Sequence, residues 1–235
     1  MNSLKLTLAT VGAAALFAAA PAQAQIIITE VDPTGNNAAY GADWWEITNY
    51  GSSSVPLNGW KMDDSSNSIS SAVALNGVSN IAAGQSVVFI ENGSSSTSQS
   101  TLTALINSFE TAWFGSPANA PAGFTIGTYN GNNAGVSLSN GGDGVNLFDN
   151  TGTLVTGVSF GSATTGVTFD NSSAHVTNDG TIATLSAVGK NGAFKNSANE
   201  IGSPGAVPEP NSGLLAAIVA VAFAGVAYLR RKVQA

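Results

Sequence analysis

The sequence contains no cysteine, a single histidine and few charged residues. The missing cysteines exclude disulfides, thiol catalysis and cysteine-ligated zinc. One histidine, His175, cannot build a histidine-rich zinc site. Charged residues make up only 9% of the 235 residues, whereas hydrophobic residues make up 43% and glycine occurs 27 times. This composition predicts one sizeable domain, with short apolar strands in its core and uncharged polar groups on its surface.

Positive charge is scarce in the central part of the chain. Between residues 25 and 210, only Lys61, Lys190 and Lys195 oppose all 14 acidic residues, which leaves a formal charge of −11. Nucleic-acid binding depends largely on basic side chains that neutralise phosphates, so this balance argues against it. Adhesion to anionic lipids is disfavoured for the same reason. A neutral polymer, a cation-bridged anionic polymer and another protein stay open as partners.

The N-terminal segment has the three parts of a secretory signal peptide. Lys5 supplies a positive charge, residues 6–20 are apolar and rich in alanine, and Ala22 and Ala24 form a small-x-small cleavage site. We therefore predict that residues 1–24 are a signal peptide and that the mature chain begins at Gln25.

The C-terminal segment, residues 206–235, combines an extended motif, an apolar run and a basic cluster. Residues 213–229 carry no charge and would reach about 26 Å as a helix, the short end of what spans a bilayer. The following basic residues act as a membrane stop and stay cytoplasmic by the positive-inside rule: Arg230, Arg231 and Lys232. A plain tail anchor would need nothing more.

The apolar run is preceded by a motif that an anchor does not require: Val207, Pro208, Glu209 and Pro210. Its two prolines keep the segment extended. The motif, the apolar run and the basic cluster together resemble the PEP-CTERM sorting signal of Gram-negative bacteria. The resemblance implies recognition and cleavage by an exosortase, transient anchoring in the inner membrane, and delivery to the cell surface or extracellular matrix.

The central region reads as many short strands separated by turns. Trp45 and Ile47 alternate with Trp44, Glu46 and Thr48, which places Trp45 on the face expected to be buried. This pattern predicts an all-β antiparallel sandwich or barrel. The predicted strands are residues 26–31, 44–49, 59–62, 86–90, 135–139, 144–149 and 154–160.

One short helix interrupts the strands. An apolar stripe at helical spacing is formed by Leu102, Leu105, Ile106, Phe109 and Trp113. Ser100 or Thr101 is the expected N-cap, and Gly115 is expected to end the helix. We expect this helix to cover one end or edge of the sandwich.

Several stretches resemble the lamin tail domain in its bacterial, secreted form. They include Thr29-Glu30, the segment WEITN at residues 45–49, LNGW at 57–60 and GSPG at 202–205. The resemblance implies an immunoglobulin-like β-sandwich over residues 25–205. It implies a binding or scaffolding role and no reaction.

Catalytic motifs are weak. Residues 157–161 match the nucleophile-elbow pattern G-x-S-x-G around Ser159, but a glycine-rich loop follows where a helix is needed. His175 lies in a polar loop that no catalytic motif frames. We therefore predict no catalytic residues and no enzyme activity.

Calcium is the one cofactor for which the sequence offers ligands. Asp63, Asp64 and Asn67 place oxygens at nearby positions, but Ser68 and Ala74 stand where an EF-hand needs glycine and glutamate. Turns capped by these side chains are the favoured interpretation, and we predict no cofactor.

The sequence thus predicts a noncatalytic exported protein of the cell surface or extracellular matrix. Its partners would be the exosortase, transiently the inner membrane, and an exopolysaccharide or surface protein, with no nucleic acid. One alternative is a calcium-dependent carbohydrate-binding module. Another is a secreted hydrolase of surface polysaccharide or nucleic acid, which would need paired carboxylates in a cleft or a metal cluster.

Overall fold

The structure, a computed structural model, describes residues 25–93, 99–131, 135–178 and 180–206. The signal peptide, the sorting motif and the C-terminal helix predicted above lie outside these ranges. No helix within them has the length and apolar character needed to cross a membrane.

The described residues form a mostly β structure with one α-helix. The helix is α1, Gln99–Phe114. The strands are β1 Ile26–Asp32, β2 Trp44–Asn49, β3 Val55–Pro56, β4 Lys61–Asp63, β5 Val73–Asn76, β6 Asn80–Ile81, β7 Ser86–Glu91, β8 Ile126–Tyr129, β9 Asp143–Phe148, β10 Leu154–Phe160, β11 Phe169–Asp170, β12 Gly180–Ile182, β13 Phe194–Lys195 and β14 Ile201–Gly202.

Ten of these strands pair in the order β11-β1-β2-β7-β8-β5-β4-β9-β10-β12, and β5 connects the two halves. Side chains from both halves meet in one core, as expected for a β-sandwich. At its centre the Trp45 ring stacks on Phe89 with ring centroids 4.8 Å apart. Met62, Leu147 and Val158 come from the opposite half and are also fully buried.

Two strand pairs are parallel, β7 with β8 and β10 with β12, whereas the sequence predicted antiparallel pairing throughout. A parallel neighbour requires a long crossover, which usually contains a helix. Between β7 and β8 that crossover contains α1, so the helix packs on the face of the sheet. Our expectation that it covers an end or edge is therefore wrong.

The helix creates a second core on the outer face of β2 and β7. Trp44 has no exposed surface, and its ring meets Phe109 and Trp113 edge to face, with centroids 5.6 and 5.7 Å away. Val88 and Ile90 complete this layer. Trp44 and Trp45 are thus both core residues, because β2 is covered on both of its faces, and the prediction that only the Trp45 face is buried is wrong.

The sequence located α1 and several strands closely. The helix contains the whole predicted apolar stripe, and Gly115 follows it with φ +80°, a conformation that favours glycine. Ser100 and Thr101 lie inside the helix, so neither is its N-cap. The predicted strand at 135–139 does not form, although Val136 and Leu138 are buried in the sandwich core.

Candidate functional site

The most unusual feature of the described structure is a pair of buried glutamates, Glu30 on β1 and Glu46 on β2. They are direct partners in the antiparallel register. A bulge between Ile28 and Glu30 interrupts the alternation of side chains along β1. The side chains of Thr29 and Glu30 therefore both lie on the outer face of the sheet. Neither glutamate is more than 2% exposed.

Both glutamates bind the segment Gly-Ser-Pro-Gly near the end of the described chain. Ser203 donates its backbone N–H to Glu30 Oε1 at 2.8 Å and its hydroxyl to Oε2 at 2.9 Å. Gly205 donates its N–H to Glu46 Oε2 at 2.5 Å. Thr168 donates a further hydroxyl to Glu30 at 2.5 Å. We call Glu30, Glu46 and residues 202–206 the carboxylate clamp.

The two glycines of the clamp are required by its geometry. A Cβ on Gly202 would lie 2.7 Å from Glu30 Oε1 and 2.8 Å from the Trp113 ring. Gly205 has φ +77° and follows Pro204, and Ala206 donates its N–H to Ser203, the arrangement of a type II turn. The sequence Gly-Ser-Pro-Gly is thus explained by close contact at one glycine and by backbone conformation at the other.

A row of hydroxyl groups continues the clamp across three strands. Thr29 donates to Glu46 Oε1 at 2.8 Å and lies 3.0 Å from the hydroxyl of Thr48. Thr48 in turn lies 2.7 Å from Ser86 Oγ, which donates to the carbonyl of Ala206 at 3.0 Å. The row fixes residue 206 to the centre of the sheet.

The electrostatics of the clamp favour a protonated carboxyl. Burial raises the pKa of Glu30 to about 7, and the hydrogen bonds from Thr168 and Ser203 only partly oppose it. Burial, and then repulsion from Glu30, raises the pKa of Glu46 well above its ordinary value. Two like charges on neighbouring strands resist simultaneous ionisation, so the pair holds a proton more tightly than exposed glutamates do.

A second group of buried acids lies beside the clamp. Tyr40 donates its hydroxyl to Asp32 Oδ2 at 3.3 Å or to Glu200 Oε1 at 3.2 Å, and Trp44 Nε1 donates to Asp32 at 3.1 Å. Asn196 donates to the other oxygen of Glu200 at 2.6 Å. Asp32 and Glu200 are at most 7% exposed, and these bonds fix the loop before β14 to β1 and β2. The arrangement binds parts of the chain together and leaves little carboxylate surface for a substrate.

The candidate calcium ligands lie in one tight turn. Asp63 is fully buried, and its carboxylate accepts hydrogen bonds from Ser66 Oγ at 2.6 Å, Ser68 N at 2.7 Å and Ser71 Oγ at 2.9 Å. Asp64 accepts the N–H of Ser66 at 2.8 Å, and Asn67 has φ +47°. Within the described ranges, no three acidic or histidine side chains are grouped to hold a metal ion.

The structure places Ser159 and His175 in separate settings. Ser159 lies within β10, where its hydroxyl is 2.9 Å from that of Thr181 on β12. A strand interior is not the exposed strand-to-helix turn that a nucleophile elbow needs. His175 is exposed on a loop, and its ring lies 4.4 Å from that of Tyr50.

The surface formed by the described residues includes a helix cavity and an edge cavity. The helix cavity has a volume of about 410 Å³, lies beside α1, and is lined by small uncharged residues such as Asn107, Thr111 and Ser197. The edge cavity has a volume of about 290 Å³ and lies beside β11. Its lining includes Asp170, Ser173, Thr184, Leu185, Lys190 and Asn191. The sequence does not indicate a ligand site at these residues, because they match no known motif.

Comparison with known families decides the nature of the domain. The family model of the Lamin Tail Domain matches residues 19–162, more than half of the chain. The chain belongs to the lamin tail domain family. Among curated proteins, none matches the chain at a significant level.

The family assignment accounts for the main features of the described structure. Lamin tail domains are immunoglobulin-like and noncatalytic, in agreement with the mostly β sandwich and with a binding or scaffolding role. The matched residues contain Glu30 and Glu46, whereas their partners Thr168, Ser203 and Gly205 come later. In this lamin tail domain the clamp therefore connects the matched part of the chain to the segment after it.

Proposed function

We propose that the protein is a noncatalytic component of the cell surface or extracellular matrix, exported by its signal peptide and sorted by its C-terminal signal. An exosortase would recognise residues 207–210 outside the inner membrane and cleave the chain, while the lamin tail domain serves as the binding or scaffolding part. The high acidic charge of residues 25–210 disfavours nucleic acid as the partner.

The observation that supports this proposal most strongly is the position of the carboxylate clamp. It holds residues up to Ala206, and the Val207 motif begins at the next residue. Both cores and the clamp are built from residues 25–206. Cleavage beyond Ala206 would leave these contacts intact, so the domain could be released whole.

The proposal is tested by cell fractionation. Wild-type protein is expected at the surface or in the medium without its last ~25 residues, because a sorting signal of this kind is removed. Glu209→Gln keeps the side-chain size but removes the charge, and a charge-assisted hydrogen bond is about twice as strong as a neutral one. We expect this variant to stay full length in the inner membrane.

Two further variants separate recognition from membrane retention. Replacing Arg230 and Arg231 by alanine removes most of the basic stop, so it should also prevent sorting, by a different route. Glu110→Gln on the helix of the domain is the matched control and should sort normally. Wild type that keeps Ala235 and fractionates like Glu209→Gln would show a plain tail anchor.

The noncatalytic part of the proposal has its own assay. Ser159→Ala and His175→Ala, alone or together, should leave any turnover of surface polysaccharide unchanged, because neither residue lies in a catalytic arrangement. A loss of more than tenfold in turnover by a correctly folded variant would favour the hydrolase alternative.

A further inference from the structure

We propose that the edge cavity binds one sugar residue of a polysaccharide through Asp170, Asn191 and Lys190. The inference rests on the proposed function at the surface or in the matrix, and it names the ligand class and the site of the domain. It requires neither a metal ion nor the sorting signal.

Asp170 supplies a fixed hydrogen-bond acceptor. It is 5% exposed and lies on β11, directly opposite Glu30 of β1. Its Oδ1 accepts the N–H of Ser172 at 2.8 Å, and its Oδ2 accepts Asn191 Nδ2 at 2.7 Å. An ionised carboxylate can accept about four hydrogen bonds, so each oxygen retains capacity for a ligand hydroxyl. The two bonds fix the direction in which the carboxylate receives that hydroxyl.

Asn191 supplies an adjacent donor. Its Nδ2 uses one hydrogen on Asp170, and its Oδ1 accepts the Ser173 hydroxyl at 3.1 Å. An amide nitrogen has two hydrogens, so the second is available to a ligand. The backbone of Asn191 has φ +47°, an uncommon conformation for a residue other than glycine. The result is an acceptor on β11 and, beside it, a donor on an exposed turn.

Lys190 and Leu185 complete the site. Lys190 is exposed on the same turn, where its N–H donates to the Ala187 carbonyl at 2.9 Å, and its ammonium group can donate to a ring hydroxyl or a uronic-acid carboxylate. Leu185 is 37% exposed and adds apolar surface for the C–H face of a sugar ring.

This combination fits a saccharide better than other ligand classes. Each hydroxyl of a sugar can donate one hydrogen bond and accept another. Two neighbouring hydroxyls can therefore donate to the Asp170 carboxylate and accept from the Asn191 amide. A volume of about 290 Å³ is close to the lower limit of roughly 300 Å³ for small-molecule sites, a size for one ring. The larger helix cavity has no charged residue in its lining and offers less discrimination.

The test uses the full chain in mild detergent on an array of neutral and uronic-acid-containing oligosaccharides. The strongest binder is then titrated by calorimetry against wild type and variants. Asn191→Gly removes the amide but suits the backbone conformation, so the variant should fold. Asn199→Gly is the matched control, since Asn199 is also exposed with positive φ, at 70°, and does not line the cavity.

We expect Asn191→Gly and Lys190→Ala each to weaken binding at least tenfold while both variants remain folded at the temperature of the titration, with Asn199→Gly equal to wild type. The inference is overturned if no oligosaccharide binds, or if the two glycine variants bind alike. It is also overturned if EDTA abolishes binding, because that result indicates a calcium-dependent site. Correct export and cleavage without saccharide binding would reject this inference alone and leave the proposed function standing.

Discussion

Glu30 and Glu46 lie directly opposite each other on neighbouring strands, and both accept hydrogen bonds from the same Gly-Ser-Pro-Gly segment. Like charges in this position normally destabilise a sheet. Here the two carboxyls accept the N–H groups of Ser203, which is buried, and of Gly205, which is partly buried, and so offset the cost of removing these groups from water. The pair therefore fastens the end of the domain to its first two strands.

Removing one carboxyl should loosen this attachment. Glu46→Ala leaves the N–H of Gly205 without its acceptor and should lower the free energy of unfolding by about 1–3 kcal/mol. Glu46→Gln retains an acceptor and should lower it much less. Urea denaturation of both variants at pH 7 measures the difference, and equal losses would mean that the carboxyl oxygen has no part in holding the segment.

Stability should decrease as the pH rises. Burial raises the pKa of Glu30 and Asp43 to about 7 and also raises the pKa of Glu46, Asp32 and Glu200. The folded protein then binds more protons than the unfolded chain, so the stabilisation is complete below about pH 4.5 and is lost through about pH 7.

The size of this effect follows from the shift at Glu30. Its pKa rises from 4.5 to about 7, and at 1.36 kcal/mol per unit this corresponds to about 3 kcal/mol. Urea midpoints between pH 5 and 8 should fall in wild type and fall less steeply in Glu30→Gln. A midpoint that rises over this range would contradict the assignment of protonated buried carboxyls.

Trp44 and Trp45 should be about equally important for stability. Both are fully buried, Trp45 between the two halves of the sandwich and Trp44 under α1. Each change to alanine should cost about 3–5 kcal/mol. Thermal or urea unfolding of the two variants measures the two losses of stability. A Trp44→Ala variant close to wild type would mean that α1 does not pack on this face.

Calcium should have little effect on the folded domain. The oxygens of Asp63 already accept three hydrogen bonds from serine donors in the same turn. We expect 1 mM EDTA and 2 mM calcium to give the same melting temperature within about 1 °C, because a ligand stabilises only the state that binds it. A calcium-dependent increase that Asp63→Asn removes would identify a metal site here.

Local patterns in the sequence predicted the positions of several strands and of the helix. The bounds of β2 and β10 agree with the prediction, since alternation and flanking turns define a strand locally. The burial of Trp44 could not be predicted in this way. It depends on helix α1, which begins more than 50 residues later and lies in the crossover between the parallel strands β7 and β8.

The sites show the same limit of local reasoning. The sequence identified Thr29-Glu30, Glu46 and Gly-Ser-Pro-Gly as family features, but not that they bind one another, because Glu30 and Ser203 are 173 residues apart. No sequence motif indicated that Asp170, Lys190 and Asn191 line the same cavity. Their proximity arises from the bridge between Phe169 and Leu185, which places the segment leading to residues 190 and 191 beside β11, and from the hydrogen bond of Asn191 to Asp170.

The central claim, export and sorting of an intact lamin tail domain, is tested most directly by intact-mass spectrometry of the native protein recovered from the cell surface or medium. The account predicts a chain that begins at Gln25 and ends near Pro210, with the whole clamp retained. A native protein that keeps Met1, or that extends to Ala235 in the inner membrane, would contradict it.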